Sequence, residues 1–180
     1  KSETIGSYDK LHKITSNNDT FQYQYSISSW IYLNPDSTTN QYVSILDYGN
    51  KPKIQYNQYT HTLRIQMLDG KTKMKTIYTT SKFPLQKWNH VLINYDGGTL
   101  DIFINNELVS STASLIPYMS NDIIYSGVDN GIHGGISNVI YFDDVLDKNE
   151  ISQAIFANKL NLKKIIKIVH LEIRKKMNTF

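Results

Sequence analysis

WNHVLINYDGGTLDIFINNELV, residues 88–109, alternates apolar and polar side chains on both sides of a glycine turn. HVLINY (90–95) and LDIFIN (100–105) flank Asp96-Gly97-Gly98-Thr99, where glycine accepts the positive φ of a tight hairpin turn. The spacing predicts a β-hairpin. A second turn at Asn105-Asn106-Glu107 then hands the chain to Leu108 and Val109.

The same period-two reading extends outward. In FQYQYSISSWIYL (21–33) the odd positions Phe21, Tyr23, Tyr25, Ile27, Ile31 and Leu33 are mostly apolar, and the even ones are polar except Trp30 and Tyr32. Further strands are expected over 42–49, 53–57, 61–68, 73–80, 122–128 and 134–142. Their spacing and turn signals favour an antiparallel β-sandwich over alternating strands and helices. STTN (37–40) reads as a polar loop.

Helix is expected only near the end. Asp147 followed by Glu150 is a capping-box pattern, and Ile151, Ile155 and Phe156 give an apolar side to a short helix over 148–158. From 160 onward a helical reading aligns Leu162, Ile165, Ile166, Val169, Ile173 and Met177 on one face, with Lys163, Lys167, His170 and Arg174 beside it. The expected organisation is a lead-in over 1–19, a sandwich over 20–158, and a basic helical tail over 159–180.

The chain has 180 residues, which is one domain with enough core to fold without cross-links. It has no cysteine, so disulfides and thiolate metal sites are excluded. Residues 1–158 hold 12 Lys/Arg and 15 Asp/Glu, net −3, while 159–180 hold seven Lys/Arg and one Glu, net +6. The basic character belongs to the tail, so no nucleic-acid partner is expected for the body. No apolar run approaches the roughly 20 residues that span a bilayer. KSETIGSYDK is not a signal peptide, and a start at Lys1 allows an upstream segment.

Three stretches, SISSWIYLNP (26–35), KWNHVLINYDGGTLDIFINNELV (87–109) and GIHGGISNVIYFDDVLDKNEI (131–151), resemble in order and spacing the laminin-G-like branch of the concanavalin A-like lectin/glucanase superfamily. The likeness covers roughly residues 20–157. It implies a two-sheet antiparallel jelly-roll sandwich, all-β apart from the short C-terminal helical extension. It also implies that Trp88 packs at a strand start and that the hairpin sits within a sheet. YGNKP, NGIHGG and LDKNEI further resemble copies encoded by large DNA viruses, which makes a virion or extracellular surface the favoured location.

The superfamily's enzymes place carboxylates at alternate positions of one strand, because side chains at i, i+2 and i+4 share a face. A retaining glycosidase needs its acid and nucleophile about 5 to 5.5 Å apart. The candidate strand here reads Asp101, Phe103, Asn105, and Asp143-Asp144 point to opposite faces if extended. Histidines at 12, 61, 90, 133 and 170 show no metal-ligand spacing, and His90 is expected to hydrogen-bond within the sheet. No enzymatic activity is expected, and glycoside hydrolysis is a distant third reading.

Binding is the surviving class. Lectins of this architecture read sugars with aromatic faces, amides and carboxylates on loops, often with Ca²⁺. Two loop groups have that chemistry: Asp47-Tyr48-Gly49-Asn50 with Tyr56, Asn57 and Tyr59, and Asp129-Asn130-Gly131 with His133. Asp47 and Asp129 are the expected calcium pair, since the resemblance implies two separated aspartates. The ordinary alternative is that Asp, Asn and Gly simply make turns. The expected partner is a glycan or glycoprotein. The alternative is an assembly protein whose residues 159–180 dock on the body, a protein partner or a neighbouring subunit, with a membrane surface less favoured. The triplet Asn18-Asp19-Thr20 fits a glycosylation sequon and carries no weight.

Overall fold

In the computed structural model the opening stretch forms two long strands whose register runs from Asp96 opposite Thr99 to Val91 opposite Ile104. Gly97 and Gly98 take φ of 49° and 107° at the turn. The structure describes residues 2–4, 24–35, 40–70, 72–117, 123–127, 131–153 and 155. They fall in two units, Lys1–Val145 and Leu146–Phe180.

The strands of the first unit are β1 (Ser2–Thr4), β2 (Gln24–Leu33), β3 (Tyr42–Tyr48), β4 (Lys53–Asn57), β5 (Thr62–Asp69) and β6 (Lys73–Thr80), followed by β7 (Trp88–Asp96), β8 (Thr99–Ile104), β9 (Glu107–Thr112), β10 (Ile123–Ser126) and β11 (Gly134–Phe142). They form a six-stranded sheet ordered β1-β10-β3-β4-β5-β6 and a five-stranded sheet ordered β11-β2-β7-β8-β9. Every pairing within the two sheets is antiparallel. The expected sandwich is what forms.

Alternation decides what each strand buries. Tyr25, Ile27, Ile31 and Leu33 of β2 and Val91, Ile93 and Tyr95 of β7 join Leu46, Tyr48, Ile54, Tyr56, Leu63, Ile65 and Met67 of the other sheet in one core. Burying each such side chain stabilises by about 1.5–3 kcal/mol. The Asp47–Lys53 ion pair, at 3.3 Å, adds about 1 kcal/mol at most, so packing between sheets holds the fold. Within the core the Tyr25 ring stacks on Tyr95 at 5.2 Å and meets Tyr48 edge-on at 5.5 Å. Its hydroxyl donates to the Lys51 carbonyl, and the Tyr95 hydroxyl donates to the Leu115 carbonyl at 2.8 Å. The deepest phenols thus keep a polar partner, as burial requires.

Trp30 and Tyr32 broke the alternation of β2, and the register explains them. They lie on the face turned away from the core, where Trp30 packs on His90 at 5.3 Å and Tyr32 on Trp88 at 5.6 Å between ring centroids. Trp88 begins β7, and β7 and β8 occupy interior positions of their sheet.

Two strands escaped the sequence reading. β9 runs at the edge of the five-stranded sheet with a largely exposed, non-alternating sequence, so it lacks the buried face that makes a strand legible. β1 lies within the expected lead-in and pairs Ser2 to Thr4 with Tyr125 to Ile123. Three polar or small residues carry no periodic signal.

In the second unit the capping box forms reciprocally. The Asp147 N–H donates to Glu150 Oε2 at 2.8 Å, and the Glu150 N–H donates to Asp147 Oδ1 at 2.8 Å. A helix covers 148–153 and 155. The expected tail over 159–180, residues 37–39 of the polar loop and the Asn18 sequon lie outside the described residues. No described helix is long and apolar enough to cross a membrane.

Candidate functional site

The residues expected to bind ligand are distributed over three places. Asp47 closes β3, where its Oδ1 accepts the Asn50 N–H at 2.7 Å and its Oδ2 lies 3.3 Å from Lys53 Nζ. Asn50 takes φ of 60° in the turn that follows. Asn57 and Tyr59 sit at the opposite end of β4, about 13 Å away along a strand of this length. His133 precedes β11 of the other sheet, and its carbonyl accepts the Asn34 N–H at 2.8 Å. Asp129 and Asn130 lie outside the described residues.

The tyrosines divide sharply. Tyr48 is 1% exposed and Tyr56 0%. Their rings belong to the core, so neither is the aromatic face expected from the sequence. Tyr56 keeps one polar contact, its hydroxyl 3.2 Å from His61 Nδ1, and burial raises its pKa. Tyr59 is 59% exposed and offers its ring to solvent.

Asn57 is the post that holds Tyr59 out. It is buried, its Oδ1 accepts the N–H groups of Tyr59 and Thr60, both at 3.0 Å, and its Nδ2 donates to Asn40 Oδ1 at 2.9 Å. An Asx turn of this kind fixes the backbone of a hairpin tip. Next to it, Gln58 is 5% exposed and its Nε2 has no hydrogen-bond partner.

The outward face of the six-stranded sheet continues from this corner. Tyr42, Asn57 and Thr62 form one cross-strand row, and Ser44, Gln55, Arg64 and Thr79 form the next. The Arg64 guanidinium lies 3.6 Å from the Tyr42 ring centroid, measured from Cζ. Its Nε and Nη2 both donate to Gln55 Oε1, at 3.2 and 2.8 Å. In the third row the Gln66 amide donates to Thr76 Oγ1 at 3.0 Å. The result is a platform of amides and hydroxyls around one oriented guanidinium, with the Tyr59 hairpin at its end.

Tyr42, Gln55 and Arg64 were not singled out in the sequence. The available signal was a lone Arg at an outward position of TLRIQML, opposite an outward Gln of KIQYN. Only the β4–β5 register brings the two together.

The outward face of the five-stranded sheet differs in character. His90 is fully buried, with its Nε2 2.7 Å from Ser28 Oγ, the contact within the sheet expected of it. Asp101 stands opposite Asn94 on β7 and Ser111 on β9. Asp96 shares that face one diagonal away, and it is exposed and accepts a hydrogen bond from Gln24 Nε2 at 2.9 Å. Among the described residues, no three His, Cys, Asp or Glu gather closely enough to hold a metal ion.

A family profile described as the concanavalin A-like lectin/glucanases superfamily, laminin-G type, matches residues 6–152. The chain belongs to that superfamily. Solved structures similar to this superfamily member include a mutant of HCR/D, with a TM-score of 0.64 and 19% identity over 78% of this chain. The binding domain of botulinum neurotoxin DC is similar both in complex with SialylT, at a TM-score of 0.56, and in complex with rat synaptotagmin II, at 0.57. Each of these two is 19% identical over 76% of this chain. The chain spans 38% of the first structure, 35% of the SialylT complex's chain and 36% of the synaptotagmin complex's chain. Comparison with curated protein sequences finds no match. The likeness is one of fold.

Proposed function

We propose that this domain is a non-catalytic module that binds a glycan or glycoprotein through the corner where the Tyr59 hairpin meets the outward face of the six-stranded sheet. The observation that carries the reading is the posture of Tyr59, a 59% exposed ring on a hairpin tip pinned by Asn57. An aromatic side chain left in water costs the fold its burial energy. Sugars present apolar faces that such a ring covers, and amides such as Gln55 and Gln66 suit their hydroxyls. Glycan-bound and protein-bound neurotoxin domains of the same fold support a binding role.

A glycan array probed with the wild-type domain and Tyr59→Ala tests this. The expected result is saturable binding that falls about tenfold or more in the variant, a loss near 1.4 kcal/mol. The unfolding midpoint should stay within about 0.5 kcal/mol, as for a surface substitution. Binding that ignores Tyr59→Ala removes this corner as the site.

Binding is expected to persist in a chelator, because both Asp47 oxygens are engaged by Asn50 and Lys53, and Ca²⁺ requires six to eight oxygen ligands. Loss on chelation would return attention to the Asp47 and Asp129 pair. Hydrolysis is not expected, since the carboxylates flanking β7 and β8 are faced by amides and hydroxyls. Release of sugar from laminarin, abolished by Asp96→Asn or Asp101→Asn, would reverse that conclusion. A silent array together with self-association that depends on residues 159–180 would favour the assembly role. A surface setting, on a virion or outside the cell, suits the binding reading.

A further inference from the structure

We infer that the ligand of this face is a carboxylate-bearing saccharide and that Arg64 is the residue that reads the carboxylate. The inference rests on the glycan-binding reading and adds a ligand class and a specificity residue to it.

Arg64 is held from two directions. The Tyr42 ring stacks against one side of its guanidinium at 3.6 Å, and Gln55 Oε1 takes Nε and Nη2 together along one edge. That leaves the Nη1 group and the outer N–H of Nη2, which point the same way along the end of a guanidinium and match the two oxygens of a carboxylate. Among the described residues no Asp or Glu pairs with Arg64, whereas the neighbouring cation Lys53 on the same face is engaged by Asp47. A charge fixed in orientation and left without a counter-ion is preorganised for an anion.

Gln55 shows that the arrangement is built. It is 8% exposed, beneath the guanidinium it anchors. Ser44, its cross-strand partner, is 0% exposed with no hydrogen-bond partner for its Oγ. Nearby, the Gln58 Nε2 is likewise buried without a partner. Buried polar groups are normally paired with protein or with ordered water.

The surroundings favour a saccharide over an acidic peptide. β4 and β5 are interior strands with both edges paired, so a peptide cannot add as a strand alongside the two that carry Gln55 and Arg64. What faces outward around Arg64 is Gln55, Gln66, Thr62, Thr76 and Thr79, a set of amides and hydroxyls that pairs with sugar hydroxyls. Tyr59, 59% exposed, sits on the hairpin that joins β4 to β5 at the end of this face.

The test measures binding of the full chain to matched oligosaccharides: sialylated or uronate-bearing ones, the same cores after removal or reduction of the carboxylate, and sulfated analogues. An oligoglutamate peptide serves as the non-sugar anion. The expected result is binding of the carboxylated members about tenfold or more tighter than their neutral counterparts. Arg64→Gln should erase that preference while leaving weak binding of the neutral cores. Arg64→Lys keeps the charge but not the fork, and should lose most of the preference too.

Equal affinity for charged and neutral cores, unchanged by Arg64→Gln, overturns this inference and leaves the glycan reading standing. A preference for the sulfated analogues or for oligoglutamate overturns the assignment of ligand class. No binding of any saccharide by the folded wild-type chain removes both. Since the wild type compared on charged and reduced ligands is a test in itself, the inference stays exposed to refutation even if a variant folds poorly.

Discussion

Asn105 shows how one side chain closes a turn that the sequence marks only as polar. It sits at φ 52°, followed by Asn106 at φ 75°, the pair of left-handed residues that a two-residue hairpin turn demands. Its Oδ1 accepts the His90 N–H at 2.9 Å and its Nδ2 donates to Asn89 Oδ1 at 3.0 Å. Asn105→Ala loses both bonds and forces a Cβ-bearing residue without a local acceptor into left-handed space. A destabilisation of about 2–4 kcal/mol is expected by urea unfolding. Asn105→Gly should recover the backbone part alone, and a variant as stable as wild type would refute this account. Residue identity at this turn was legible, because Asn tolerates positive φ. The fate of Tyr48, Tyr56 and Tyr59 was not: all three fall beside turn residues, and the chain alone does not say which ring meets the opposite sheet.

At the scale of the element, β11 and β2 illustrate why certain glycines cannot change. Gly134 pairs with Leu33, and a Cβ there would stand 2.0 Å from the Tyr32 carbonyl oxygen. Backbone cannot yield as a side chain can. Gly134→Ala should therefore displace the start of β11 and cost about 3 kcal/mol or more, with faster amide exchange along β11 and β2 as the local readout. Gly135 makes the contrast, since a Cβ there meets the Trp88 ring at 3.1 Å. That ring can shift, so Gly135→Ala should cost less than Gly134→Ala. The reverse order would disprove the argument. The elements themselves were readable wherever one face is buried, and β4, β6 and β11 have the bounds that alternation suggests. Edge strand β9 and the brief β1 were silent because exposure removes the pattern.

For the whole molecule, the tyrosine core links stability to alkaline pH. Burial first, and then the neighbouring Tyr48, Tyr95 and Tyr141 hydroxyls, hold the Tyr25 pKa well above the usual value near 10. Burial also raises that of Tyr56. The unfolded chain releases these protons near pH 10 while the native state retains them, so stability is intact below that pH and declines as pH rises beyond it. The urea midpoint should hold to about pH 9 and then fall steadily toward about pH 11. Tyr25→Phe should flatten the fall while lowering stability at neutral pH, and a midpoint flat across the range would contradict the linkage. By itself the sequence determined that this chain forms antiparallel strands with one apolar face each, that one hairpin turns at Gly97-Gly98 and a further turn falls at Asn105-Asn106, and that Asp147 caps a helix. These are local matters of φ preference, side-chain hydrogen bonding and period-two burial. Only the tertiary structure decided that Tyr48 and Tyr56 are core, that Tyr59 is not, and that Gln55 and Tyr42 together orient Arg64. Those outcomes depend on strand register and on which face meets the other sheet, and a chain read one residue at a time contains neither.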